Sequence, residues 1–175
     1  MENAPDNKND VVTCPDKRWE VVYNISLGAR YHMARQQFFG KWHKVTSALS
    51  LAFSTSAVAT LMSNTKVGMV CAAIVAVLQA LDLVIETRKN SELHNELRRE
   101  YLSLETELYH HPEGLTDAEY SNFQTRIKAI ELKEPPIMRT VLLLSKNDVH
   151  SVFGLEGKAE ISWWKRQFAN IINFS

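Results

Sequence analysis

The polar side chains best placed to support a function lie near the end of a long apolar stretch. Gln79, Asp82 and Glu86 follow one another at intervals of three and four residues, so on a helix they share one face. An ionisable group inside a membrane span costs roughly 2.5–3.5 kcal/mol at the bilayer centre and less near the ends, and it usually faces water or a partner. The spacing favours a pore mouth built from several copies. The alternative is that Asp82 only marks the membrane boundary.

A second candidate lining lies in the apolar run that precedes these residues. Ser47, Ser50 and Ser54 share a helical face that could contact water in an oligomer. The alternative is that each hydroxyl donates a hydrogen bond to a carbonyl one turn back in its own helix.

The sequence lacks the residue patterns of common catalytic sites. It has no phosphate-binding glycine loop and no G-x-S-x-G turn, and Cys14 and Cys71 lack metal-ligand spacing. His110 and His111 are adjacent in a predicted surface turn, and His94 is interpreted as an ordinary helix residue. We therefore expect no enzymatic activity, no cofactor and no metal site.

Two long apolar runs separated by a polar break dominate the chain. Residues 45–65 are twenty-one positions without a charge, and residues 67–85 carry one charge, Asp82. A hydrocarbon core of about 30 Å needs roughly twenty helical residues. The runs therefore predict a transmembrane helical hairpin with spans at about 45–65 and 67–85. The many hydroxyl side chains of the first run keep a soluble helical bundle as the alternative, although neither run has the charged face typical of one.

Small residues recur every fourth position in both predicted spans, and such rows let helices approach closely in lipid. Chance periodicity in alanine-rich helices is the alternative. The predicted packing residues are Ala48, Ala52 and Ser56 in the first span and Gly68, Ala72, Ala76 and Ala80 in the second.

The charges are unevenly distributed although the formal net charge is zero. Residues 17–44 hold six basic side chains and one acidic, and residues 86–134 hold seven basic and eleven acidic. The zero total argues against a dedicated nucleic-acid-binding protein. Basic residues flank both outer ends of the spans, whereas the connecting turn has Lys66 alone, so both termini are predicted to be cytoplasmic.

The remaining segments predict an all-α protein. Residues 1–16 are expected to be a disordered tail, and an amphipathic helix should precede the first span. Its predicted stripe comprises Trp19, Val22, Ser26, Ala29 and Met33.

Beyond the spans, the second helix is predicted to continue without a break to about residue 110, with a leucine stripe. Thr116 and Glu119 form a capping box that begins a helix over about 116–133, which should pack antiparallel on the preceding one. The domain so predicted covers residues 17–134. Residues 135–175 then form a cytoplasmic or membrane-surface segment with a last helix at about 158–174.

The order of these features resembles the SLATT family of bacterial two-transmembrane effectors over roughly residues 20–135. The features that carry the resemblance are a basic and aromatic lead-in (Arg30-Tyr31-His32, then Arg35 to Lys44), two compact spans, the exit sequence Ala80-Leu81-Asp82-Leu83 and a charged helix with Leu93, Leu97 and Tyr101.

The resemblance implies a membrane effector of an anti-phage, abortive-infection system in the bacterial inner membrane. Such a protein is expected to form a homo-oligomer in lipid and to permeabilise the membrane when triggered. Its expected partner is a separate nucleotide synthase, a sensor or a reverse transcriptase. A membrane-anchored scaffold that recruits a cytoplasmic partner and never conducts is the alternative function.

Overall fold

The computed structural model describes residues 15–61 and 64–173, which form six α-helices. The predicted tail lies outside the described residues, except that Pro15 and Asp16 begin the first helix. The helices are α1 (Pro15–Leu61), α2 (Thr65–Ile85), α3 (Thr87–Leu108), α4 (Asp117–Glu131), α5 (Arg139–Phe153) and α6 (Trp163–Phe168). The all-α prediction is confirmed.

Helix α1 is continuous over 47 residues, so the predicted amphipathic helix and the first predicted span are one element. No proline interrupts it after Pro15, and its glycines are tolerated within the helix. The predicted stripe was offset: of its members only Ala29 is buried, and Trp19 is 43 % exposed. The buried stripe instead contains Val21, Ile25, Ala29, His32, Arg35, Phe39, Thr46, Ser50 and Ala57.

Helices α2 and α3 pack in succession along α1 and antiparallel to it. The order of the contacts shows the direction, since His43 of α1 meets Asp82, and His32 meets His94. The prediction of an unbroken second helix was wrong. Glu86 has left-handed backbone angles (φ 48°, ψ 46°) and separates α2 from α3.

The core predicted between α3 and α4 is present, but α1 also forms part of it. Side chains from all three helices make one buried cluster, including Val21, Ile25, Leu97, Leu104, Leu108, Phe123, Ile127 and Ile130. The predicted capping box begins α4: Thr116 Oγ1 accepts from the Glu119 backbone N–H, and the Glu119 carboxylate accepts from the Thr116 N–H. The leucine stripe of α3 therefore packs against both α1 and α4, whereas the sequence predicted packing against α4 alone.

The C-terminal segment is in contact with the bundle rather than separate from it. Helix α5 occupies the middle of this segment, whereas the predicted last helix shrinks to the six residues of α6. Ala169 is fully buried in a second cluster with Tyr31 and Val141. Arg35 donates from Nη1 to the Asn170 carbonyl at 2.8 Å, which ties the end of the chain to α1.

One helical stretch among the described residues is long and apolar enough to cross a membrane, and it lies within Thr65–Leu108. Only 6 % of its most apolar window is buried, whereas the core helix of a soluble protein would be mostly buried. The first predicted span does not meet the same criterion over its described residues. Its hydroxyl side chains lower its hydropathy.

Gly28 allows α1 to pack closely against Tyr101 of α3. A Cβ atom at this position would lie 2.4 Å from the Tyr101 ring, so Gly28→Ala should destabilise the protein by about 1–3 kcal/mol through overpacking. Gly40→Ala is the matched control, because its Cβ would meet only Ser91 Oγ at 3.5 Å and alanine favours the helix. Denaturant unfolding in detergent, followed by circular dichroism, should separate the two variants. Equal unfolding midpoints would contradict the close packing described above.

Candidate functional site around Asp82

Three helices converge on the carboxylate of Asp82 near the end of α2. His43 Nδ1 lies 3.2 Å from Oδ2, and the Thr46 hydroxyl donates to Oδ1 at 3.3 Å. The Thr87 hydroxyl, buried at the start of α3, also donates to Oδ1. A charged group near the apolar boundary is thus held by polar partners from α1 and α3, which offset the cost of removing it from water.

The break between α2 and α3 lies one turn beyond this carboxylate. The Glu86 N–H donates to the Leu83 carbonyl at 3.3 Å, and the Asn90 side chain donates to the Ile85 carbonyl at 2.7 Å. Glu86 itself is exposed and pairs with Lys89 at 2.9 Å. Its side chain therefore belongs to the charged surface rather than to the apolar stretch.

The structure separates the polar residues that the sequence placed on one face. Gln79 is exposed on α2, whereas Asp82 is turned toward α1 and its side chain is 20 % exposed. On α1, Ser47 and Ser54 are exposed, whereas Ser50 is buried and its hydroxyl has no hydrogen-bond partner in the described structure. Within one copy of the chain, Asp82 and Ser50 therefore face the neighbouring helix, whereas Gln79, Ser47 and Ser54 face outward.

The predicted rows of small residues lie mostly outside the contact between α1 and α2. Gly68 is buried in that contact, but Ala48, Ala52, Ser56, Ala72, Ala76 and Ala80 are exposed. Buried and half-buried residues at three- and four-residue spacing instead mark the contact face. They are Thr46, Ser50, Phe53 and Ala57 on α1 and Gly68, Cys71, Val75, Leu78 and Asp82 on α2.

Other hydroxyls of α1, outside the set of Ser47, Ser50 and Ser54, bond within their own helix. Thr55 donates to the Leu51 carbonyl at 2.9 Å, and Ser56 donates to the Ala52 carbonyl at 3.0 Å. These bonds satisfy the hydroxyls without water or a partner.

A second polar cluster lies between the first half of α1 and α3, and sequence reasoning missed it. His32 Nδ1 lies 2.9 Å from His94 Nδ1, and His32 Nε2 lies 2.9 Å from Glu134 Oε1. Tyr101 donates its hydroxyl to the same Glu134 oxygen at 3.0 Å. Both imidazoles are almost fully buried. The spacing of His94 from Leu97 and Tyr101 on the α3 stripe was the available signal for its burial.

Burial controls the protonation of this cluster. Desolvation, reinforced by the charges of His32 and Arg35, lowers the pKa of His94 to about 4, so this imidazole is neutral at pH 7. Desolvation and the Glu134 carboxylate raise the pKa of Tyr101, which keeps its hydroxyl protonated and donating. His32 Nε2 donates to Glu134, and a single proton between the two Nδ1 atoms makes one imidazole the donor and the other the acceptor.

Comparisons with known proteins add no assignment to this geometry. No family model, curated protein or solved structure matches the chain. Within residues 15–61 and 64–173, no three His, Cys, Asp or Glu side chains are grouped so that they could hold a metal ion. The hydrogen bonds of the two polar clusters can fix the position of α1 against α2 and α3.

The hydrogen bond from Thr87 to Asp82 can be tested without changing any charge. Thr87→Val should lower the free energy of unfolding by about 1.5–3 kcal/mol, since it removes a buried donor to a carboxylate. Thr106→Val on the same helix is the control, because its exposed hydroxyl bonds only to the Leu102 carbonyl. The control should stay within about 0.5 kcal/mol of the wild type in detergent unfolding. Equal losses in both variants would show that Asp82 does not depend on Thr87.

The lowered pKa of His94 predicts a dependence of stability on pH. Between pH about 6.5 and about 4 the unfolded chain binds a proton at His94 that the folded chain does not, so stability falls as the pH falls through this window. His94→Gln should reduce the loss of unfolding free energy between pH 7 and pH 5. His110→Gln, in the exposed turn, should keep the wild-type loss. A wild-type pH response in His94→Gln would contradict the assigned protonation.

Proposed function

We propose that this chain is a membrane effector that self-associates in the bacterial inner membrane and permeabilises it when a partner signals phage infection. The observation that carries the proposal is the placement of Gln79, Ser47 and Ser54. All three are exposed among large apolar side chains that are also exposed, including Leu51 at 71 % and Leu83 at 78 %.

Helix geometry supports the grouping of these three residues. With 3.6 residues per turn, Ser47 and Ser54 lie beside the residues of α1 that contact α2. Gln79 lies beside the residues of α2 that contact α1, on the same side of the helix pair. In a single copy surrounded by lipid, these polar groups would lack partners. Several copies could turn this side toward a shared aqueous path, which gives each group a partner or water.

The exposed alanines support the same assembly. Ala72 and Ala76 are exposed next to Gln79 on α2, where small side chains permit close approach of a helix from another copy. The two-span topology, with both termini cytoplasmic, places α3 to α6 on the cytoplasmic side. The trigger is then a separate protein such as a nucleotide synthase, a sensor or a reverse transcriptase, as the resemblance to SLATT effectors implies.

Asp82 has a different role in this proposal from the one the spacing suggested. It does not line the path but holds α2 against α1 and α3 through His43, Thr46 and Thr87. A partner that moves α3 would disturb these bonds first. Asp82 is therefore the proposed connection between the cytoplasmic helices and the membrane pair.

A non-conducting scaffold is the second candidate function, and one observation favours it. Trp163 and Trp164 of α6 are 58 % and 64 % exposed, and their rings pack edge-to-face at 4.3 Å. Exposed aromatic pairs of this kind are enriched where proteins bind partners. A scaffold would bind its partner through these two tryptophans, whereas Gln79 would have no part in that binding.

Permeabilisation is tested by changing the exposed polar residue of α2. Gln79→Leu should reduce the release of a small dye from vesicles, and the loss of membrane potential in an expressing host, at least tenfold with unchanged insertion. Val77→Leu is the control, since this side chain is 60 % exposed on the same helix and is already apolar. The control should behave as the wild type.

Two outcomes would oppose the proposal. A wild-type protein that inserts but leaves vesicle dye and host membrane potential unchanged, at high density and with its genomic neighbours and phage present, would exclude permeabilisation. Full activity of Gln79→Leu would exclude the proposed polar path. Loss of partner binding on substitution of Trp163 and Trp164, with no dye release at any stage, would establish the scaffold instead.

A further inference from the structure

A cavity of about 380 Å³ opens at the membrane end of the cytoplasmic bundle, within the range of small-ligand sites. It lies among α1, the end of α2 and the chain that follows α6. Phe38, Phe39 and Trp42 supply aromatic surface, and Ile85 supplies the last residue of the apolar α2. The described lining includes one cationic side chain, Arg35, and no carboxylate.

Arg35 is a buried cation with neutral partners. Its residue is 9 % exposed, and Nη1 donates to the Asn170 carbonyl at 2.8 Å and to the Asn170 side-chain oxygen at 3.2 Å. The guanidinium lies 4.6 Å from the centre of the Phe39 ring. Neither partner carries a negative charge, and the described residues place no carboxylate in an ion pair with Arg35. A buried charge without a counterion is costly.

Two N–H groups on residues that line this cavity have no hydrogen-bond partner in the described structure. They are Nε of Arg35 and Nε1 of Trp42, and both atoms are buried. The two residues are seven positions apart, so they lie on the same side of α1, about two turns from each other. Buried donors in proteins almost always have an acceptor. Their shared location points to a bound acceptor that carries the missing negative charge.

The surroundings indicate what kind of anion would fit. Ile171 lines the cavity and is 55 % exposed, and the neighbouring Leu83 and Val84 on α2 are 78 % and 81 % exposed. The cavity therefore continues into an apolar surface that a lipid chain could cover. Because the described lining contains no carboxylate, the amine of a zwitterionic headgroup would lack a partner.

We propose that this cavity binds the phosphodiester of a net-anionic membrane phospholipid, with Arg35 and Trp42 donating to its oxygens. Guanidinium N–H groups match phosphate oxygens in geometry and charge, and tryptophan favours the headgroup region. This inference rests on the membrane placement given under the proposed function, but it does not require that the protein conduct. The site would make the contact between α1 and the C-terminal chain depend on lipid composition.

Lipid-dependent thermal unfolding of the full chain in uncharged detergent micelles tests the site. Phosphatidylglycerol should raise the unfolding temperature, whereas phosphatidylcholine and soluble glycerol phosphate should not. Arg35→Gln should raise the half-maximal phosphatidylglycerol concentration about tenfold or more, in line with the loss of a charge-assisted hydrogen bond. Trp42→Phe should raise the half-maximal concentration several-fold and leaves the bonds between Arg35 and Asn170 intact. This variant therefore tests the site even if Arg35→Gln fails to fold.

Lys41→Gln is the matched control, since it removes one exposed positive charge beside Trp42 but outside the cavity. It should respond as the wild type. Equal responses of Lys41→Gln, Arg35→Gln and Trp42→Phe would overturn the site in favour of general surface charge. An equal shift with phosphatidylcholine, or with glycerol phosphate, would overturn the assignment to an anionic lipid.

Dye release from vesicles distinguishes failure of the lipid site from failure of the proposed function. A protein that releases dye but does not discriminate between the two lipids refutes the cavity assignment alone. A protein that discriminates between them without releasing dye refutes permeabilisation alone.

Discussion

The continuity of α1 is the constraint on which the other helices depend. Over 47 residues, about 70 Å at 1.5 Å per residue, one stripe of this helix contacts α3 in its first half and α2 in its second. The composition of the stripe changes along its length because the first half of α1 is proposed to lie outside the membrane and the second half inside it. The first half carries Val21 and Ile25, whose burial from water stabilises the bundle. The second half carries Ser50 and Ala57, whose small size permits close contact where lipid removes the hydrophobic driving force.

The break at Glu86 is held in place by its neighbours. A non-glycine residue in the left-handed region costs roughly 1–2 kcal/mol, and such residues persist where the surroundings fix them. Here two hydrogen bonds cross the break, from the Thr87 hydroxyl to Asp82 and from the Asn90 side chain to the Ile85 carbonyl. The strained residue is therefore bridged by polar contacts between α2 and α3. This arrangement allows α3 to change direction relative to α2 at a defined residue.

Sequence periodicity predicted the elements more successfully than it predicted their faces. The helical class, the capping box at Thr116 and the leucine stripe of α3 follow from local spacing, and the structure has all three. The break at Glu86 could not be predicted, since a glutamate within a helical pattern gives no signal for left-handed backbone angles.

The site was predicted in part for a related reason. Asp82 is recognisable as a polar residue in an apolar run, but its partners His43 and Thr87 come from elements whose register depends on tertiary packing. His32, His94 and Arg35 were missed because a stripe of apolar residues does not anticipate buried charge or imidazole. Trp19 was placed in the stripe because it is apolar, although it lies at the exposed edge of α1 against Phe153.

The polar pairs provide what the apolar stripe cannot, which is a unique register between α1 and its partners. Small and apolar residues recur at three- and four-residue spacing on both surfaces, so a slip of two turns would still bring similar side chains together. The same slip would separate His32 from His94, which are both buried, and His43 from Asp82, which are both half-buried. Each separation would cost the hydrogen bond that the pair makes. One pair lies between α1 and α3 and the other between α1 and α2. Because both are contacts of the same unbroken helix, the register between α1 and α3 also fixes how α1 meets α2.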